Sequence, residues 1–191
     1  MQAEQEQQWV QAAQRGDIKA FEAIVSAFEN AVFSFVYNAT RNQMDAEEIT
    51  QDVFVKAYRN LTNFRGDAKL KTWLFTIAHN TTASHFRKKE LPTTPVDDAP
   101  PSQHPESNLA DALSSINTAE RTHYLNLAME KMAPQQRQLI QLFYLEELSI
   151  KEIEAITGLN EGSIKTGIMR GRNRLYTLLQ TVLPSETQSL L

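Results

Sequence analysis

Three acidic residues, Asp45, Glu48 and Asp52, recur at intervals of three and four, with Glu47 and Gln51 among them. On a helix that spacing stacks them along one side. Neighbouring carboxylates can hold a divalent cation or exchange a proton. Neither chemistry is well served here: no histidine accompanies the cluster, no glycine loop follows to shape a pocket, and successive turns of one helix make an open cage. A solvated acidic face and a docking face for a basic partner helix are the other readings.

A second set lies between Asn63 and Lys89, where six Lys or Arg residues (Arg65, Lys69, Lys71, Arg87, Lys88, Lys89) face a single acid, Asp67. After a turn at Arg65-Gly66-Asp67, the apolar residues Leu70, Trp73, Leu74, Ile77, Ala78 and Thr81 follow helical spacing, which predicts one buried face with Trp73 in it. Beside that face runs a row of Lys69, Thr76, Asn80, Ala83 and Arg87, basic at its ends and amide- or hydroxyl-bearing between. Nucleic-acid phosphate is one reason for such an excess; a basic helix end suiting its own dipole is another.

A third set closes the chain. Between Ser163 and Leu175 stand Lys165, Arg170, Arg172 and Arg174 with no acid. The stretch SIKEIEAITGLNEGSIKTGIMRGRNRL reads as a helix opened by a capping box (Ser149 to Glu152), a turn at Gly158, and a helix capped by Asn160 and running to about Leu179. Ile153, Leu159, Ile164 and Ile168 are its expected core. This is the helix-turn-helix pattern, although an αα-hairpin with no DNA role has the same outline.

These segments sit in a chain of 191 residues with 41% apolar content and net charge −4. The length suits one large domain or two small ones, and the composition allows a packed core. Absence of cysteine excludes disulfides and thiolate metal sites. An acidic pI near 5.6 is a poor footprint for a freestanding DNA binder. Much of the acidity is local: from Glu90 to Ala119 there are five acids and no Lys or Arg, and five of the seven prolines lie there. That segment reads as an extended flexible linker between two folded units. No basic-then-apolar leader and no apolar run of bilayer length is apparent, so a soluble, cytoplasmic protein is expected.

Strand signals are nearly missing, and the remaining segments read as helices. One spans about Glu4 to Gln14 and stops at Gly16. Asp17 caps the next, whose apolar row is Phe21, Ile24, Val25, Phe28, Val32, Phe35 and Val36. A third covers about Asp45 to Leu61 and buries Ile49, Val53, Ala57 and Leu61. Beyond the linker, helices are expected at about Arg121–Lys131 and Gln135–Leu145.

The segments DAEEITQDVFVKAYRNLTNFRGDAKLKTWLFTIAHN and MAPQQRQLIQLFYLEELSIKEIEAITGLNEGSIKTGIMRGRNRL resemble regions 2 and 4 of bacterial sigma factors of the extracytoplasmic-function (ECF, group IV) class, within the sigma-70 family. Helix-turn-helix units occur in many regulators, but both segments in this order and with this gap are specific. The resemblance covers nearly all of the chain apart from the linker and the ends.

It implies an all-α protein of two helical domains: residues 1–89 as region 2, 90–119 as linker, 120–183 as region 4 and 184–191 as a tail. It implies no catalysis, metal or cofactor, but a factor that binds core RNA polymerase and directs it to promoters. Asp45, Glu48, Gln51 and Asp52 would meet the basic coiled coil of the β′ subunit, and region 4 the β flap. The Asn63–Thr72 loop and the following helix would read the −10 element as melted strand. Asn80 would contact a base, Thr76 would share its −10 contact surface, and Arg65, Lys69, Arg87 and Lys88 would neutralise phosphates. The last helix would enter the major groove at the −35 element through Ser163, Lys165, Thr166, Met169 and Arg170. Arg170 suits a bidentate guanine contact, and Lys165 and Arg174 suit phosphates. An anti-sigma factor, often membrane-anchored in this class, would control the protein and could hold it at the inner membrane face.

Two residues depart from the pattern. Glu154 stands where helix-turn-helix units carry a small residue, so its carboxylate must turn outward or the helices separate. Gly167 replaces a residue that is often basic, removing a DNA contact and costing up to ~1 kcal/mol of helix propensity. Two rivals remain at this level: a DNA-binding regulator that works without polymerase, and a metal-dependent nucleic-acid enzyme using Asp45, Glu48 and Asp52.

Overall fold

A computed structural model of the chain describes residues 2–88 and 118–183. The expected linker (but for its last two residues) and the tail at 184–191 lie outside these. The described residues form helices α1 (Gln2–Gln14), α2 (Ile18–Thr40), α3 (Gln43–Asn60), α4 (Leu70–Lys88), α5 (Thr118–Glu130), α6 (Pro134–Ile140), α7 (Ile150–Thr157) and α8 (Glu161–Val182). A 3₁₀ turn at Leu61–Asn63 extends α3, and a π turn at Gln141–Leu145 extends α6. No strand occurs among the described residues, so the all-α expectation holds.

The helix boundaries follow local chemistry. Gly16, with φ +94°, follows the end of α1, and the Asp17 carboxylate accepts from the N–H groups of Lys19 and Ala20 to start α2. The Asn42 side chain accepts from the Asp45 N–H at the head of α3. Pro134 begins α6, where its missing N–H costs nothing. Ser149 and Glu152 form the reciprocal capping box of α7, and Asn160 caps α8 through the Ser163 N–H at 2.9 Å.

The helices fall into two compact units. In one, α2 packs on α1, α3 and α4, and α7 packs on α4. Its core holds Ile24, Val32, Phe35, Val36, Ile49, Val53, Leu74 and Phe75, each 0–1% exposed. The Phe35 and Phe75 rings meet edge to face, 5.2 Å apart. By length and hydropathy α2 reaches the composition of a membrane span, contrary to the expectation that no run would. Its apolar row is instead spent in this core, as a core helix spends it.

In the other unit α8 packs on α5 and α6. Arg137 is 3% exposed there, and its guanidinium donates to the carbonyls of Met129 and Met132, both at 2.6 Å, and of Glu130 at 3.3 Å. One side chain thus ties together carbonyls at and just beyond the C-terminal end of α5. The grouping of helices cuts across chain order, because α7 lies with α4 and apart from α6 and α8 in the division.

Candidate functional site

α3 buries Ala46, Ile49, Val53, Phe54 and Ala57 on one side. The helical repeat then forces Glu48, Gln51 and Asp52 to the other, and all three are exposed. Met44 and Val55 share that side and are 79% and 45% exposed. A face with two acids, an amide and two uncovered apolar side chains is equipped for a protein surface, since apolar area adds burial to the charge attraction. Met44 and Val55 could have been found by extending the i, i+4, i+7 row in both directions from Glu48. Asp45 stands apart: it is half-buried at the edge of α3, and its Oδ1 lies 3.6 Å from His85 Nε2 on α4. The structure therefore brings together Glu48, Gln51 and Asp52 and leaves Asp45 turned toward α4. No group of three or more His, Asp or Glu residues suited to a metal ion occurs among the described residues.

The loop before α4 is fixed by three devices. Gly66 takes φ +81° at the turn, a conformation that a side chain would strain. Gln14 Nε2 donates to the carbonyls of Leu61 and Phe64, at 2.9 and 2.8 Å. The Phe64 ring lies against Trp73 with centroids 5.0 Å apart. Trp73 is thus half-buried against the loop, as is Ile77, whereas Leu70 and Leu74 on the same row are buried. Arg65 is exposed beyond it.

Along α4, Lys69, Asn80, Arg87 and Lys88 are exposed and Thr76 is half-buried. The row from Lys69 to Arg87 spans ~27 Å of helix at 1.5 Å per residue. Thr76 donates its hydroxyl to the Thr72 carbonyl at 2.8 Å, which leaves its lone pairs and methyl group for a partner. Arg87 donates to Ser84 Oγ at 2.9 Å. Beside Asn80, burial lowers the pKa of His79 below its ordinary value, with a hydrogen bond to the Asn80 side chain opposing the shift. His79 is consequently neutral at physiological pH and adds no charge to the row.

The start of α4 also meets α7. Lys69 Nζ lies 3.1 Å from Glu152 Oε1, and Thr72 Oγ1 lies 3.3 Å from the same oxygen. Burial raises the Glu152 pKa, but hydrogen bonds from the Ser149 hydroxyl and N–H, with the Lys69 ammonium, outweigh it and bring the carboxyl to about 2. Nothing in the sequence alone links Lys69 to Glu152, which stand 83 positions apart.

On α8, Ile164, Ile168, Gly171 and Leu175 are buried, and Ser163, Lys165, Thr166, Met169 and Arg174 are exposed. Arg170 is half-buried, so only part of its side chain reaches the exposed face. Lys165 pairs with Glu161 one turn earlier at 2.5 Å. The Asn160 cap consumes the Ser163 N–H and leaves its hydroxyl at the helix start. Of the expected core, Ile153 is buried and Leu159 half-buried. Glu154 is exposed, so its carboxylate turns outward, the first of the two solutions open to it.

The Sigma-70 region 2 family matches residues 24–91, and the Sigma-70 region 4 family matches residues 122–175. The chain is 29% identical over 188 residues to the RNA polymerase sigma-H factor of Pseudomonas aeruginosa, covering 94% of this chain and 96% of that protein. It is 30% identical to the ECF RNA polymerase sigma factor SigW of Bacillus subtilis, with 90% and 95% covered. With the ECF RNA polymerase sigma-E factor of Escherichia coli it shares 31% identity, with 91% and 94% covered. Its fold is similar to that of CnrH, solved in complex with the cytosolic domain of CnrY, at TM-score 0.63 and 22% identity over 94% of this chain and 99% of that one. It is also similar to sigma factor RpoE of Bartonella quintana, solved with the anti-sigma factor NepR, at TM-score 0.60 and 24% identity over 87% and 100%. Sigma factors are not enzymes; they direct RNA polymerase to promoters. With regions 2 and 4 both present, and relatives matched along nearly their whole length, the chain belongs to the sigma-70 family as an ECF-type sigma factor.

Proposed function

We propose that this sigma factor mounts on the β′ coiled coil of core RNA polymerase through the exposed side of α3, with Glu48, Gln51 and Asp52 as its charged and polar contacts. Asp45 borders that surface and acts through α4. The loop and α4 read the −10 element: Asn80 meets an extruded base, Thr76 lies beside it, and Arg65, Lys69, Arg87 and Lys88 neutralise phosphates. The first turns of α8 read the −35 duplex through Ser163, Lys165, Thr166, Met169 and Arg170, with Arg174 on the backbone, while region 4 rests on the β flap. The boundaries are 1–89, 90–119, 120–183 and 184–191.

The observation that carries this reading is the separation of faces. Acids with uncovered apolar residues occupy one side of α3, whereas basic and amide residues line α4 and α8. Weak affinity of an acidic chain for DNA then becomes useful, because polymerase supplies the effective concentration that DNA binding lacks. An anti-sigma factor, anchored at the inner membrane face, holds this cytoplasmic protein inactive; the complexes solved for CnrH and RpoE support that kind of partner.

Run-off transcription from a randomised promoter library tests the reading. Purified core enzyme plus this protein is expected to initiate from a selected two-part motif. Silent core enzyme, with tight duplex binding by the protein alone, would make it an autonomous regulator.

A further inference from the structure

α7 belongs by sequence to the stretch that matches region 4, yet it lies in the same compact unit as α1 to α4 and packs on α4. It buries Ile153 and Ile156, and at the start of α4 Leu70 and Thr72 are buried as well. At the polar edge of this contact the Glu152 carboxylate uses both of its oxygens. Oε1 faces Lys69 Nζ at 3.1 Å and accepts from the Thr72 hydroxyl at 3.3 Å. Oε2 accepts from the Ser149 N–H at 2.8 Å and from the Ser149 hydroxyl at 2.6 Å. An ammonium, hydroxyls and a backbone N–H around a pair of anionic oxygens are also the groups with which proteins hold a DNA phosphate. The Glu152 side chain is 17% exposed and that of Lys69 73% exposed. Glu152 is therefore the fixed member of the pair, and Lys69 the one able to turn to another anion.

The proposed function gives Lys69 to the −10 strand and sends α7 with α8 to the −35 duplex. These are separate stretches of promoter, so α7 has to leave α4 when both are bound. We propose that the contact is an autoinhibitory latch: in the free factor Glu152 stands at Lys69 in place of a DNA phosphate, and α7 covers the start of α4 until polymerase draws it away. The two anions exclude each other, because a phosphate at Lys69 would lie beside the Glu152 carboxylate and be repelled by it. With its pKa at about 2, Glu152 stays ionised at physiological pH, so the latch opens by displacement and not by protonation. An ion pair with one partner largely in water is weak, which suits a contact that has to open. A latch closed about four-fifths of the time lowers the apparent affinity for DNA about fivefold.

The latch rests on the assignment of Lys69 and α7 to DNA, and the test separates the two ideas. The chain has no cysteine, so Asp67→Cys/Lys151→Cys takes a donor and an acceptor dye at two exposed positions close in sequence to the contact. Energy transfer is expected to be high in the free full-length chain and to fall when core RNA polymerase and promoter DNA are added. Low transfer in the free chain, or equal transfer in both states, overturns the latch. Binding of the free chain to a labelled single-stranded oligothymidine, which reports phosphate contacts irrespective of sequence, is then measured by fluorescence anisotropy. Glu152→Gln keeps the side-chain size, and glutamine serves at the same position of a capping box. This variant is expected to bind about fivefold more tightly than wild type. Glu154→Gln, which removes the same charge from an exposed position of the same helix, is expected to change affinity less than about twofold. Equal gains in the two variants would reduce the effect to net charge and overturn the latch. Lys69→Ala in holoenzyme supplies the separation. If it weakens promoter binding while Glu152→Gln gives the free chain no gain, the phosphate assignment stands and the latch falls. If it leaves promoter binding unchanged, the assignment falls and the latch with it.

Discussion

Leu139 on α6 fills the space that a side chain at position 167 of α8 would need: a Cβ on Gly167 would fall 2.5 Å from Leu139 Cδ1. One turn later, a Cβ on Gly171 would fall 2.8 Å from Ile140 Cγ1 and 3.4 Å from the Gln136 carbonyl. The two glycines form a shallow groove that lets α6 approach α8 closely. The lost basic contact at position 167 thus has a packing reason.

Gly167→Ala is expected to destabilise the protein by ~1–3 kcal/mol, the usual cost of overpacking, even though alanine is the better helix former. Thermal unfolding measures it. Leu139→Ala is expected to cost less in the Gly167→Ala background than in wild type, because the two side chains compete for one space.

Glu152→Ala removes a carboxylate held at a pKa of about 2 by Ser149 and Lys69. Because the folded-state carboxyl is the stronger acid, its contribution is complete above the ordinary glutamate pKa and disappears as pH falls toward about 2. Wild type is expected to be the more stable protein at neutral pH, with the gap closing between about pH 4.5 and 2. Denaturant melts across that range check this; a gap independent of pH would assign the effect to packing.

Asn80→Ala is expected to change the preferred −10 sequence more than the overall yield of transcript, since Asn80 is exposed and removes no core contact. Equal loss at every promoter would make it a structural residue of α4.

Arg170→Ala is expected to relax selection at one −35 position by ~1–3 kcal/mol, the worth of a bidentate base contact. Arg174→Ala is expected to weaken all promoters alike and reduce the salt dependence. Binding of holoenzyme to promoter variants at two salt concentrations separates the cases. The half-burial of Arg170 makes it the sharper test.

Turn and cap chemistry made the helix ends legible in the sequence: Asp17, Ser149 with Glu152, Asn160, Gly16 and Gly158 all act where their side chains or φ values require. α4 was harder to read. It touches α2, α3 and α7, so Phe75, Thr72 and Thr82 are buried outside the single apolar row that its spacing suggests. Arg137 was illegible for a different reason, since a charged residue buried on three carbonyls leaves no periodic trace. The pairing of Lys69 with Glu152, and of Asp45 with His85, depends on tertiary approach of segments far apart in sequence. Which side of α3 and of α8 is exposed is therefore legible in the sequence, and the surroundings of the start of α4 are less so.

The proposed contact with polymerase lies on α3. Its most direct test is the affinity of labelled protein for core RNA polymerase, measured for wild type and for Glu48→Lys and Asp52→Lys, with circular dichroism to verify the helices. Wild type is expected to bind tightly, and each reversal to abolish binding without loss of helix. Unchanged affinity in both variants would contradict the assignment of this face, and absence of wild-type binding would contradict the whole account.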